Sequence, residues 1–325
     1  MMKLETYLAP FEDYLSQHPF QGEPASLYEP ANYMMQLGGK RLRPAMVLMA
    51  CDAFQGSFKE AFPAAMAIEV FHNFTLVHDD IMDAAPLRRG KTTVHIKWDH
   101  ATAILCGDMM MFKAVLFLQE LPVTLLQEAL SMFNKTAIEV CEGQQIDMVF
   151  EQRKKVEIAE YIHMITLKTS VLLGCSFYLG ARIGGAPKEA ASAMYEFGKN
   201  LGIAFQLHDD LLDAFAEDAV AFGKQVGGDI LSNKKTYLLI TALQNADSTQ
   251  RELLNGWLQN SDINPEAKVA AMKELFVLTG AKKATEQAQQ NYYNLALEAL
   301  QAVPLSSEWK VYLQGFAQLV MQRSK

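Results

Sequence analysis

The chain has 325 residues, half of them apolar and a fifth charged, with 29 basic against 37 acidic side chains and a net charge of −8. That length admits one large domain or two ordinary ones, and the composition suits a soluble globular core rather than a disordered or fibrous chain. An acidic chain is poorly suited to a nucleic-acid partner, which demands basic surface to neutralise phosphate.

The first fifteen residues, MMKLETYLAPFEDYL, place acidic side chains early and lack a basic segment ahead of an apolar one, so they do not read as a signal peptide. No apolar run reaches the ~18 residues of a membrane span, and a cytoplasmic protein is expected. A turn-rich break, HPFQGEP, occupies 18–24, and LGGKRLRP at 37–44 then groups Lys40, Arg41 and Arg43. Residues 58–82 predict a helix that is apolar on most sides and therefore buried, yet its C-terminal end carries three aspartates. APLRRGKTTVH follows at 85–95, with adjacent Arg88 and Arg89. Apolar residues then recur at helical spacing over 123–151, 155–182, 187–217 and 281–301, with turn residues at 184–190 and 260–267. The stretch 218–235, DAVAFGKQVGGDILSNKK, is rich in Gly and Lys and reads as a mobile loop carrying Lys224, Lys234 and Lys235. Cys51, Cys106, Cys141 and Cys175 lie far apart in apolar surroundings, which predicts buried, reduced thiols rather than a zinc site. Alternating strand patterns and composition shifts are hard to find, so residues 1–325 are expected to form one all-α domain.

One motif appears twice: VHDDIMDA at 77–84 and LHDDLLDA at 207–214. Residues four apart share a helix face, so Asp79 and Asp83 point the same way with Asp80 beside them, and Asp209, Asp213 and Asp210 repeat the arrangement. Clustered carboxylates repel, and burying them costs more. A hard divalent cation offsets both effects, and an all-oxygen ligand set selects Mg²⁺, which binds through a few carboxylates, waters and substrate phosphate. A lone patch reads equally well as a solvated helix end. Two near-copies, each preceded by His and followed by Ala, favour two walls that grip one polyanion through several metal ions. The basic clusters flanking both patches supply its counter-charge. GGK here lacks the spacing of a nucleotide phosphate loop, and no GxGxxG follows a strand, so a diphosphate on an apolar body fits better than a nucleotide.

The motifs GGKRLRP, HDDIMD with LRRGK, the Lys168–Thr169 pair, FQLHDDLLD, the GK at 223–224 and GGDILSNKKTY resemble the trans-isoprenyl diphosphate synthases of the polyprenyl synthetase family. The likeness runs from 38–44 to QRSK at 322–325 and is strongest to the geranylgeranyl diphosphate synthases. It implies the isoprenoid synthase fold, about ten or more long helices around a deep central cavity, and a homodimer. It also implies head-to-tail condensation of isopentenyl diphosphate with an allylic prenyl diphosphate, releasing diphosphate. By the same likeness Asp79, Asp80, Asp83, Asp209, Asp210 and Asp213 bind three Mg²⁺ around the allylic diphosphate. Arg88, Lys168, Lys224 and Lys234 contact that diphosphate, while Lys40, Arg43, His72 and Arg89 hold isopentenyl diphosphate. Thr169 and Gln206 lie near the reacting carbons, and Gln144 and Asp147 line the same cavity. Thr92 stands where many relatives have Pro, beyond the ligands.

The growing tail must run from the metals alongside the helix that carries Asp79. Phe74 lies five residues upstream, about 7.5 Å along the axis, with small Thr75 beside it and Phe71 a turn deeper. In the family, this arrangement without an insertion in the first motif resembles the C20 synthases. Farnesyl or longer products are the alternatives, and Phe74 also reads simply as a core aromatic. A class I terpene cyclase usually mixes Asn, Ser or Thr and Glu at its second metal site, and a non-catalytic partner subunit typically loses an aspartate motif. This chain does neither.

Overall fold

The computed structural model describes residues 4–216, 227–259 and 264–322. Helix formers dominate the sequence, and the elements are helices almost throughout. In chain order they are α1 (Glu5–Gln17), α2 (Ala25–Gln36), α3 (Leu42–Ala53), α4 (Phe58–Met82), strands β1 (Leu87–Arg88) and β2 (Lys91–Thr92), α5 (Val94–Lys97), α6 (His100–Leu118), α7 (Val123–Gln152), α8 (Ile158–Ile165), a π-helical turn (Thr166–Ser170), α9 (Val171–Ile183), α10 (Lys188–Phe215), α11 (Gly228–Leu231), α12 (Tyr237–Asn245), α13 (Ser248–Gln259), α14 (Pro265–Leu278), α15 (Ala281–Ala302) and α16 (Ser307–Met321). Several starts are fixed by side chains that accept from otherwise unpaired backbone amides. Asp99 caps α6, Thr236 caps α12, Asn264 caps α14 and Ser306 caps α16.

The chain divides into two compact units. The first comprises Met1–Lys135, Cys175–Tyr195 and Val303–Leu305; the second comprises Thr136–Gly174, Glu196–Ala302 and Ser306–Lys325. In the first unit α4 packs on α3 and α6, and α2 packs on α6. Every residue from 44 to 51 and from 63 to 71 is buried, as an all-round apolar helix requires. Gly180 of α9 belongs to this unit too. A Cβ there would sit 2.1 Å from the Val47 carbonyl oxygen of α3, so only glycine permits the approach. In the second unit one core joins Tyr161, Met164, Ile165, Ile203, Leu207 and Ile240. Another joins Leu211, Leu238, Leu254, Met272 and Phe276.

Four sequence expectations change. A short two-stranded hairpin follows α4 where no strand is expected, pairing Leu87 with Thr92 and Arg88 with Lys91. Its two-residue turn places Arg89 at φ 53° and Gly90 at φ 73°, and double positive φ matches the twist of a hairpin. Of the stretch read as a mobile loop, 217–226 lies outside the described residues, and the remainder contains the helical turn α11. Cys141 is exposed on α7, whereas Cys51, Cys106 and Cys175 are buried. Finally, α6 and the helical run Ile158–Ile183 are both long and apolar enough to cross a membrane, because their few scattered charges interrupt the run without making it polar. The second is 83% buried over its apolar window, whereas α6 is 33% buried.

Candidate active site

The first aspartate patch sits where a helix tolerates it least. Asp79 and Asp80 close the last turn of α4 and Asp83 is its C-cap; the negative end of the helix dipole opposes all three. A cation from the hairpin offsets them. Arg88 places Nε and Nη2 each 2.7 Å from Asp80 Oδ1, and Nη2 3.8 Å from Asp79 Oδ2. Asp80 is 1% exposed, and its other oxygen, Oδ2, is buried without a hydrogen-bond partner. Burial pushes its carboxyl above the usual range despite Arg88.

The basic residues of the same unit form a second environment. Arg43 Nη1 lies 3.2 Å from His72 Nε2, and Arg43 Nε is buried with no partner. Burial, then the charges of Arg43 and Arg89, hold His72 well below its usual pKa, so its imidazole is neutral. Burial also pulls Arg43 down to about 10. Arg89 donates from Nη1 to the Gly38 carbonyl, tying the hairpin to the loop that carries Lys40, which is exposed. His72 and Asp80 are eight residues apart on α4, about 12 Å along its axis. One helix thus carries a neutral imidazole, beside Arg43 of α3, and a cation-attracting carboxylate two turns apart.

Of the residues read as a length-setting floor, Phe74 and Thr75 lie between them and Phe71 immediately precedes His72. Phe74 is 7% exposed and Phe71 fully buried; their ring centroids are 5.4 Å apart. Phe74 also meets His78 at 4.9 Å, and Phe71 meets Phe133 at 5.2 Å. Thr75 turns its hydroxyl back to the His72 carbonyl, 2.8 Å away.

The second unit holds the other patch, at the C-terminal end of α10. Tyr161 Oη donates to Asp210 Oδ2 at 2.5 Å, and Asp213 Oδ1 accepts from the Asp229 amide at 3.0 Å. Burial, reinforced by the charge of Asp229, pushes the Asp210 carboxyl up to about 8. Lys234 Nζ lies 3.9 Å from Asp229 Oδ1. Lys168 and Thr169 both fall on the π-helical turn, a distortion often found at functional sites. Lys168 Nζ reaches Asp147 Oδ2 at 2.6 Å, and Thr169 Oγ1 donates to Gln206 Oε1 at 3.3 Å. A Cβ at Gly143 would stand 2.2 Å from the Lys168 amide nitrogen, so glycine lets α7, which also carries Gln144 and Asp147, approach this turn. Lys224 lies outside the described residues.

Both patches suit a hard divalent cation. Their donors are carboxylate oxygens, Asp80 keeps a buried oxygen without a partner, and burial disfavours the charged forms of Asp80 and Asp210. Among the described residues no three His, Cys, Asp or Glu side chains form a ready-made metal cluster. A cation here takes part of its oxygen shell from water and substrate, as Mg²⁺ does.

Sequence reasoning missed three supporting residues: Glu69, Phe133 and Tyr161. Glu69 alone left a signal, a charged residue in an otherwise apolar helix one turn before His72. The others meet the site only through tertiary contacts.

Residues 24–276 match the family described as polyprenyl synthetase. The chain is 45% identical over 224 residues to the geranylgeranyl diphosphate synthase of Methanosarcina mazei, covering 68% of each. It is 38% identical over 305 residues to the geranylgeranyl diphosphate synthase of Saccharolobus solfataricus, covering 92% of this chain and 91% of the relative. Its structure matches a crystal structure of a geranylgeranyl pyrophosphate synthase with a TM-score of 0.95 and 42% identity, over 100% of both chains. The helices are those of the isoprenoid synthase fold, and the chain belongs to the polyprenyl synthetase family of trans-prenyltransferases.

Proposed function

We propose that the chain condenses isopentenyl diphosphate with an allylic prenyl diphosphate, head to tail, to make geranylgeranyl diphosphate and inorganic diphosphate. The observation that carries this reading is the α4 helix. It presents His72, which meets Arg43 of α3, and, two turns on, an aspartate cluster with an orphaned buried oxygen.

In this reading Lys40, Arg43, His72 and Arg89 bind isopentenyl diphosphate. Neutral His72 accepts or donates a hydrogen bond without adding charge. Asp79, Asp80 and Asp83, and likewise Asp209, Asp210 and Asp213, would hold Mg²⁺, three ions in all, for the allylic diphosphate, helped by Arg88, Lys168, Lys224 and Lys234. Bound Mg²⁺ would neutralise charge on the departing diphosphate. The allylic C–O bond breaks and its electron pair leaves with the diphosphate, whose negative charge Arg88 and Lys168 stabilise as it develops. The double bond of isopentenyl diphosphate supplies the pair for the new C–C bond, and a proton then departs, with released diphosphate a suitable base. Thr169 and Gln206 position the reacting carbons, with Gln144 and Asp147 on the same wall. Phe74, backed by Phe71 beside small Thr75, sets the C20 limit, and apolar walls keep water from the carbocation.

We further propose a homodimer formed through α6. Leu105, Phe112 and Leu116 are 58%, 68% and 50% exposed along that helix, an apolar stripe that a second copy would cover.

Incubation with isopentenyl diphosphate, Mg²⁺ and each C5, C10 and C15 allylic diphosphate, followed by product sizing, tests the reading. C20 diphosphate is the expected end product. Hydrocarbon release without elongation would mark a cyclase, and activity only with a second type of chain would mark a partner subunit.

A further inference from the structure

The basic loop LGGKRLRP contains one arginine that cannot bind substrate. Arg41 is 5% exposed and its guanidinium is committed inside the first unit. Nε donates to Glu12 Oε1 at 3.0 Å, Nη1 to Glu69 Oε1 at 2.5 Å and Nη2 to the Met35 carbonyl at 2.5 Å. Glu69 is 2% exposed, and fully buried Asn73 fixes it in turn, with Nδ2 2.9 Å from Glu69 Oε1 and 2.8 Å from the Glu69 carbonyl. Arg41 also holds a left-handed backbone, φ 46° and ψ 35°, at the N-cap of α3. A residue with a Cβ adopts that conformation only where its surroundings impose it.

The strained residue stands between Lys40 and Arg43. Its backbone inversion lets the Arg41 side chain enter the core while the loop around it serves another environment. Arg89 grips the same loop from the hairpin side, at the Gly38 carbonyl. Glu69 is one turn before His72 on α4, so a single helix anchors the loop and presents the imidazole that meets Arg43. Glu69 is also the buried carboxylate whose charge acts on Arg41, Arg43 and Arg89 together.

We propose that Arg41, clamped by Glu69, is a positioning residue that holds the 38–43 loop in the conformation that binds the diphosphate of isopentenyl diphosphate. This rests on the assignment of Lys40 and Arg43 to that substrate. Bidentate anion recognition depends on fixed donors, and loosening the loop weakens that substrate while leaving the allylic one alone.

The test is steady-state kinetics of Arg41→Gln, Arg41→Lys and the neutral double variant Arg41→Gln/Glu69→Gln, with Arg43→Gln as a reference. Isopentenyl diphosphate is varied at saturating farnesyl diphosphate, then the reverse. Arg41→Gln is expected to raise KM for isopentenyl diphosphate about tenfold while KM for farnesyl diphosphate stays within about twofold. Arg41→Lys is expected to fall between it and the parent. The double variant, free of an uncompensated buried charge, is expected to recover thermal stability but not KM. A merely structural arginine would lower kcat through the active fraction and move neither KM. Equal rises in both KM values, or none, would overturn the proposal. If Arg43→Gln also leaves KM for isopentenyl diphosphate unchanged, the substrate assignment itself falls and the proposal with it. If Arg43→Gln raises it and the Arg41 variants do not, the positioning role alone is lost.

Discussion

Asp210 illustrates how a single residue records what a site is built to receive. Its carboxyl is buried against Tyr161 and raised to about 8, whereas an unfolded chain would release that proton near 4. A carboxyl whose folded pKa is raised contributes stability below its unfolded value and loses it as pH climbs through the folded value. The metal-free protein therefore carries a penalty that grows from about pH 4 to about pH 8. Asp210→Asn keeps the shape and removes the charge. Thermal unfolding in chelator is expected to find this variant more stable than the parent at pH 8, by on the order of 5 kcal/mol. The gap should shrink steadily as pH falls toward about 4, and narrow when Mg²⁺ and inorganic diphosphate are added. A constant gap across that range would remove burial of the carboxylate as the cause.

At the scale of an element, α4 does several jobs because its faces are spaced by the helical period. Glu69, His72 and Asn73 share one turn, Phe71 and Phe74 another face, and the aspartates close the end. The aromatic side is a ladder rather than a single stop, with Phe133 of α7 behind Phe71. Phe74 is the most exposed ring of the three, so it is the one a growing tail would meet first. Phe74→Ala is expected to lengthen the main product by at least one isoprene unit, read by chromatography with farnesyl diphosphate as primer. An unaltered product distribution would assign Phe74 to the core alone. The hairpin that follows this helix is hard to see in the sequence, since its Arg-Gly turn lacks the usual Asn-Gly signal.

For the whole molecule, the most informative feature is the outward face of α6. A helix this apolar is buried in most soluble proteins, yet its window is only 33% buried. Leu105, Phe112 and Leu116 recur near helical spacing, as a helix-to-helix seam requires. Phe112→Glu/Leu116→Glu is expected to convert a dimer of about 73 kDa, twice the 36.3 kDa chain, into monomer in sedimentation equilibrium. A parent protein that already sediments as monomer would refute the dimer through α6.

The aspartate pairs, the basic loop and the helical class are all legible in the residues alone, because helical spacing and short motifs are local properties of a chain. The helices over 58–82 and 123–151 end within a residue of where their periodicity places them, for the same reason. What a local pattern cannot say is which way a side chain turns or whom it meets. Arg41 resembles its basic neighbours in sequence, yet its backbone is inverted and its guanidinium is buried on Glu69. Tyr161 is 49 residues from Asp210 in sequence, and the turn that carries Lys168 meets α7 closely at Gly143, 25 residues earlier. Those facts are set by the close approach of elements distant along the chain, where packing, and not propensity, selects the conformation.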